Sequence, residues 1–400
     1  MAARNAAKRT ALVLSGGGAR GAYQAGLLSG LKELGVAPAE PPLFDIIIGS
    51  SAGSINAGML AAYADEFETG VDRLEEVWST LDASQVFRTD VASLGRIGVR
   101  WAWDLSFGGA LRRVQPKSLL DTAPLRTLLG RIPFTRIEAN VQSGVLHALA
   151  VAATDLYTST GVLFVHGHTS IKPWKRRRWR VEPTRIGIDH LMASSAIPIF
   201  FPSVAIGGRH LGDGCIRNTS PLSPAINLGA DRILAVGVQG PGVQVSQKKR
   251  LPPPTIAQIA GVLLDAVMLD AIEVDVEHSE RVNASVLSCR GADPRNPFRA
   301  VEVLWLSPSV DLGPIAAELS RRVPPIVRYL LRGLGSDESI TELLSYLLFD
   351  PVFCSRLIEI GRGDALAAKD QISAFFADGA GAVARSTERV LRAKRGEPTR

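Results

Sequence analysis

Twice near the N-terminus a short apolar run ends in glycines and passes at once into a helical pattern. Residues 11–14 read as a buried strand, Gly16-Gly17-Gly18-Ala19-Arg20-Gly21 follows, and residues 21–34 form a helix with Leu27, Leu28, Leu31 and Leu34 on one face, closed by Gly35. The pattern repeats with a β-branched run over 45–48, Gly49-Ser50-Ser51-Ala52-Gly53, and a small-residue helix through Asn56, Ala57, Gly58 and Leu60. Further strands are expected over 145–153, 232–238 and 301–306, with helical or loop stretches between them. Such alternation favours a mostly parallel sheet with helices on its faces. Gly207-Gly208 joins two short extended runs between Val204 and Leu211, the composition of a tight hairpin.

A chain of 400 residues with 46% hydrophobic and 21% charged residues can bury a large core, which excludes disorder, collagen and coiled coil. Cys215, Cys289 and Cys354 are too few and too scattered for a disulfide framework or a spaced zinc motif, so a reducing, cytoplasmic setting is expected. No signal peptide is expected, because the apolar run after the basic residues 1–10 is too short. No membrane span is expected either, since the best candidate, 261–276, carries Asp265, Asp270, Glu273 and Asp275. The net charge of +6 is local, concentrated in 175–180 and 385–400. That distribution argues against a nucleic-acid binder.

Gly49-Ser50-Ser51-Ala52-Gly53 is a G-x-S-x-G between a strand and a helix, the context in which this motif exposes a serine hydroxyl on a strained turn. Ser51 is therefore the candidate nucleophile. Gly49 and Gly53 permit the sharp reversal, and the helix N-terminus favours developing negative charge. The Gly16–Gly21 run satisfies G-x-G-x-x-G, so an NAD(P)-binding loop is the rival reading. Against it, Asp45 precedes the second strand, and the far end of that strand runs into the serine turn rather than into an acidic residue. The same consecutive glycine N–H groups at a helix N-terminus suit an oxyanion hole, with Arg20 either adding positive potential or serving as a structural arginine.

A nucleophilic serine needs a base. The six histidines, His147, His166, His168, His190, His210 and His278, stand in no catalytic context: His147 falls in an apolar strand, His166 and His168 in a hairpin, His278 on a charged helix. Asp213, between Gly212 and Gly214, can approach another backbone closely and act as base and then acid. Asp155, at a strand end, is the competing carboxylate, with loop fixing as its alternative role.

Four blocks carry a family resemblance: LVLSGGGARGAYQAG (12–26), IIIGSSAGSINA (46–57), ASSAIPIFFP (193–202) and LGDGCIRNTSPLSPAI (211–226). In order and spacing the chain resembles the bacterial type of patatin-like phospholipase. The resemblance, which covers residues 12 to about 238, implies a three-layer α/β/α sandwich with a mostly parallel central sheet, and the helical pattern after Asp311 adds a helical extension at the C-terminus. The resemblance also implies a Ser-Asp dyad without histidine, Ser51 as nucleophile, Asp213 as base, and an oxyanion hole at Gly16, Gly17 and Gly18, with no metal or cofactor. Where the family reads Asp-Gly-Gly or Asp-Gly-Ala, this chain has Cys215 after Gly214.

The expected organisation is a basic arm (1–10), an acyl hydrolase domain (11–240), a linker with a long helix and a further strand (241–310), a helical extension (311–385) and a disordered basic tail (386–400). The expected activity is lipid acyl-ester hydrolysis of phospholipase A, lysophospholipase or esterase type. A non-catalytic lipid- or membrane-binding protein on the same fold is the alternative. The run Trp174-Lys175-Arg176-Arg177-Arg178-Trp179-Arg180 reads first as a solvated arm, with contact to an anionic membrane surface as its alternative. Trp101, Trp103 and Phe107, with Phe87 nearby, read as core packing or as a flap over an acyl groove.

Overall fold

The computed structural model describes residues 8–38, 42–88, 118–174, 176–241, 272–288, 298–324, 328 and 344–377. The readings that fell on Trp101, Trp103, Phe107, Lys175, Cys289, 261–271 and 386–400 lie outside these residues.

The described strands are β1 (Thr10–Leu14), β2 (Ile46–Ser50), β3 (Ala148–Asp155), β4 (Thr160–Gly167), β5 (Trp179–Pro183), β6 (Val204–Ile206), β7 (Arg209–Asp213), β8 (Arg232–Val236) and β9 (Glu302–Leu306). They form one sheet in the order β5-β4-β3-β2-β1-β8-β9, with β7 paired to β3 and β6 to β7. The central run from β3 through β9 is parallel, whereas β4 and β7 lie antiparallel to β3. Along β1 the alternation sets Leu12 and Leu14 into one core and Ala11 and Val13 into another, on opposite faces of the sheet. Both cores are closed by helices, and this is why the inner strands read as unbroken apolar runs. The fold is the α/β sandwich that the alternating pattern predicted.

Helix α1 (Gly21–Glu33) departs from the expected single apolar face, because every residue from Gly21 to Leu31 is buried. It is packed on several sides, with α3 (Phe67–Ser79) and the helix Pro351–Ala367 against it. Small residues permit this. A Cβ at Gly26 would lie 2.0 Å from the Ile358 carbonyl oxygen, and one at Gly361 would lie 2.2 Å from that of Tyr23, so the two helices touch backbone to backbone. Tyr23 donates its hydroxyl to Asp364 across this contact at 3.0 Å.

Strand β3 starts three residues later than expected and ends two later, at Asp155. His147 is accordingly not within it: its N–H and that of Ala148 both donate to the Asp45 carbonyl, which fixes where pairing with β2 begins. The expected hairpin forms between β6 and β7, with Gly207 and Gly208 at φ 58° and 76°. Phe87 is fully buried against Phe201 and Phe349, so it belongs to the core.

Candidate active site

Strand β3 aligns the two chemically important residues. On one edge its Ala152 pairs with Ser50, the last residue of β2, and its next residue, Ala153, pairs with Asp213, the last of β7. The end of β7 thus takes up the position that β2 vacates. As β2 turns into helix α2 (Ala52–Ala62), Ser51 adopts φ 51° and ψ −129°, a region β-carbon residues avoid. The turn is held on two sides: the Ser51 N–H donates to Ser194 Oγ at 3.0 Å, and the Ser51 carbonyl accepts from Ser54 Oγ at 2.6 Å.

The Ser51 hydroxyl donates to Asp213 Oδ2 at 2.6 Å. The other carboxylate oxygen accepts from the Cys215 N–H at 2.9 Å. The Asp213 main chain is fixed as well, its N–H donating to the Ala196 carbonyl at 3.0 Å and its carbonyl accepting from Thr154 Oγ1 at 2.8 Å. Asp213 is fully buried, and desolvation pushes its carboxyl up to about 6, partly offset by the hydrogen bonds from Ser51 and Cys215. A carboxylate so raised holds protons more readily than an exposed one while remaining ionised at neutral pH.

The glycine loop lies directly against this pair. A Cβ at Gly16 would fall 2.8 Å from Ser51 Cβ and 2.3 Å from Cys215 Sγ, so the loop approaches Ser51 as closely as a backbone can. Gly17 packs on Val238. Gly18 has φ 54°, and a Cβ there would meet the Tyr346 carbonyl at 2.2 Å. The other glycines singled out in the sequence mark equally close approaches: a Cβ would lie 2.3 Å from the Gly53 carbonyl at Gly49, 2.3 Å from that of Ser15 at Gly53, and 2.4 Å from that of Ala152 at Gly214.

Arg20 is buried and turns to the segment 344–347, where its Nε donates to Ser345 Oγ at 2.8 Å and its guanidinium lies 4.3 Å from the Tyr346 ring centroid. Of its two readings, the structural one fits this placement: it ties the glycine loop to a segment more than 300 residues away. Asp155 accepts from the N–H groups of Tyr157 and Thr158, a turn-fixing role. The histidines are engaged elsewhere: His166 with Glu138, His190 with the Gly187 N–H, His210 with Ser203, and His168 with Ser170, while His147 stacks on His168 and His278 is exposed.

Two features escaped the sequence reading. Ser194 closes the helix Ile188–Ser194 and holds the elbow, and its only signal was its place in the small-residue run before Ile197. Asn56 accepts from Trp78 Nε1 at 2.8 Å and donates to Gln24 at 2.9 Å and to the Gly21 carbonyl at 3.1 Å, joining α1, α2 and α3 beneath the elbow. Beside Ser51 opens an apolar cavity bounded by Met59, Val77, Trp78, Leu129, Ile197 and Phe201, with Gly18 at its wall. Among the described residues no cluster of three or more His, Cys, Asp or Glu side chains could hold a metal ion.

The family model for patatin-like phospholipases matches residues 12–226, which include the glycine loop, the serine elbow and Asp213. The chain belongs to the patatin-like phospholipase family. Curated relatives of this patatin-like chain include uncharacterized NTE family proteins of Mycobacterium tuberculosis and Mycobacterium bovis, each 27% identical over 237 residues that cover 58% of this chain and 49% of the relative. The chain spans about half the length of these relatives. Similar solved structures include VipD from Legionella pneumophila, with 14% identity, TM-score 0.38, and coverage of 98% of this chain and 78% of that one. Another is human GIVD cytosolic phospholipase A2 in complex with a fluorophosphonate inhibitor, with 13% identity, TM-score 0.43, and coverage of 95% and 60%.

Proposed function

We propose that this patatin-like chain hydrolyses carboxylic esters of lipids through a Ser51–Asp213 dyad and an acyl-enzyme. The observation that carries the reading is the 2.6 Å hydrogen bond from the strained Ser51 hydroxyl to a fully buried carboxylate, at the mouth of an apolar cavity. Ser51 Oγ attacks the ester carbonyl carbon as Asp213 takes its proton. The oxyanion forms against the backbone N–H groups of Gly16, Gly17 and Gly18, and the acyl chain enters the cavity between α2 and α3. The C–O bond then breaks and Asp213 returns the proton to the departing alkoxide. Water next attacks the acyl carbon while Asp213 accepts its proton. The fatty acid leaves as that proton returns to Ser51 Oγ.

Nothing in this sequence of steps calls on a histidine. The NAD(P) reading of the glycine loop loses support because that loop is pressed against Ser51 and Tyr346. The test is hydrolysis of p-nitrophenyl esters of increasing chain length and of phospholipid by the wild type and by Ser51→Ala. Activity that rises with chain length up to the capacity of the cavity and vanishes in a folded Ser51→Ala protein is expected. Lipid binding without turnover would instead support a non-catalytic lipid-binding protein.

A further inference from the structure

The active-site end of the sheet carries more backbone strain than the rest of the described chain. Four non-glycine residues have positive φ: Ser51, Ser159, Arg178 and Ile199. Ser51 is the elbow. Ser159 closes the turn 156–159 between β3 and β4, which leaves the sheet after Asp155, the partner of Leu211 and two residues beyond Ala153, which pairs with Asp213. Arg178 precedes β5, and its carbonyl accepts from the Gly161 N–H at 3.0 Å, so the Arg176–Trp179 turn lies beside the 156–159 turn. Ile199 stands in the loop that leaves Asp213 at Ala196 and returns at Val204 opposite Leu211. A β-branched residue at φ 72° is a genuine outlier, and strain of this kind persists at sites of function.

These strained turns expose apolar side chains where burial was available nearby. Tyr157 is 82% exposed, Ile199 66% and Leu156 46%, although Ile197, Phe200 and Phe201, which flank Ile199, are buried. Leu156 lies over Gly212, and the Tyr157 ring meets His210 edge-on, so both stand next to β7, which ends at Asp213. The adjoining turn is cationic. Arg176 is held inward, over Trp179 and within electrostatic reach of Asp275, but Arg177, Arg178 and Arg180 are exposed. The two indoles of the run are only partly exposed. Trp174 and Trp179 pack on the core of the sheet, with Trp179 filling the space above Gly161.

We propose that Leu156, Tyr157 and Ile199, with Arg177 and Arg178 beside them, form the surface by which this chain settles on an anionic lipid bilayer. Apolar side chains beside exposed arginines match an acyl boundary beneath anionic head groups. Contact there sets the Ser51 cavity toward the lipid, and the inference rests on the reading of that cavity as an acyl site. The apolar contact therefore comes from the β3–β4 turn and not from the tryptophans of the basic run.

The test is co-sedimentation of full-length Ser51→Ala protein, which cannot consume its vesicles, with vesicles of equal parts phosphatidylcholine and phosphatidylglycerol. Into it are placed Leu156→Ser with Tyr157→Ser, Ile199→Asn, Arg177→Gln with Arg178→Asn, and, as a control from the helix Pro351–Ala367, Leu366→Ser. Asn is chosen at 178 and 199 because it tolerates the left-handed backbone. The arginine pair should weaken binding by about 30-fold at low ionic strength and by little in high salt. The two apolar variants should each weaken it about tenfold at any salt, and the control should bind as the parent. In the Ser51 background, turnover of a soluble short-chain ester should be unaffected by all of them. Parent-like vesicle binding by the apolar variants overturns the proposal. So does binding of a duplex DNA or heparin probe that the arginine pair abolishes while vesicle binding persists. Vesicle binding that follows these expectations in a protein that hydrolyses no ester would instead remove the hydrolase reading and leave the lipid surface standing.

Discussion

Asp213→Asn separates the chemical role of the buried carboxylate from its cost to the fold. Burial raises its carboxyl from 3.8 to about 6, so the folded chain holds this proton more tightly than the unfolded chain does. Between those values the native state binds more protons, and its stability falls as pH rises. The full penalty is present above about pH 6 and absent below the unfolded value; at 1.36 kcal/mol per unit it amounts to about 3 kcal/mol. Asparagine is nearly isosteric. Its carbonyl oxygen can still accept from the Cys215 N–H, and its amide can face Ser51 Oγ, but it carries no charge. The variant should therefore gain stability relative to wild type as pH rises. Integrating the two titrations, about 1 kcal/mol of that relative gain falls between about pH 5 and about pH 8. Urea unfolding of both proteins at several pH values reads the difference directly, because titrations common to both cancel. The same variant should lose at least about 10²-fold in ester turnover. Parallel stability curves would show that Asp213 is not desolvated in the folded protein, and undiminished turnover would show that it is not the base.

Wild-type kcat/KM should rise with pH and level off above about pH 6, since only ionised Asp213 can take the Ser51 proton; a profile controlled by a histidine would survive Asp213→Asn. Cys215→Ala removes a thiol that supports the ionised carboxylate and should move that profile to higher pH, with Cys215→Ser staying near wild type; steady-state kinetics across pH decides this. Ser194→Ala leaves the buried Ser51 N–H without its acceptor and should cost about 1–3 kcal/mol in chemical unfolding together with a lower kcat. Gly18→Ala combines a left-handed backbone with a 2.2 Å approach to the Tyr346 carbonyl, so a melting temperature and turnover both equal to wild type would refute the close contact drawn for the loop.

Local chemistry explains what could be read in advance. The two strand-glycine-helix units and the hairpin at Gly207-Gly208 depend on residue types confined to a few consecutive positions, and periodicity or turn chemistry exposes those, whereas the pairing of Ser51 with Asp213 was implied by the family resemblance. Contacts between distant segments left no such trace. The backbone contact of Gly26 with Ile358 looks in the sequence like two unremarkable helices, and Arg20 gave no sign that it would reach Ser345. Ser194 was hidden for the same reason, since a serine among small residues at a helix end has many uses. Charge patterning reports exposure of the arginines of the basic run but not the direction of the rings beside them, so the packing of Trp174 and Trp179 on the sheet was not legible.

The central claim is that Ser51 is acylated and that Asp213 drives the acylation. Intact-protein and peptide mass spectrometry after reaction with a long-chain alkyl fluorophosphonate tests it most directly. One adduct per chain is predicted, on the peptide that contains Ser51, absent in Ser51→Ala and formed at least about 10²-fold more slowly in Asp213→Asn. An adduct on another residue, or one that forms in Asp213→Asn at the wild-type rate, would contradict the account.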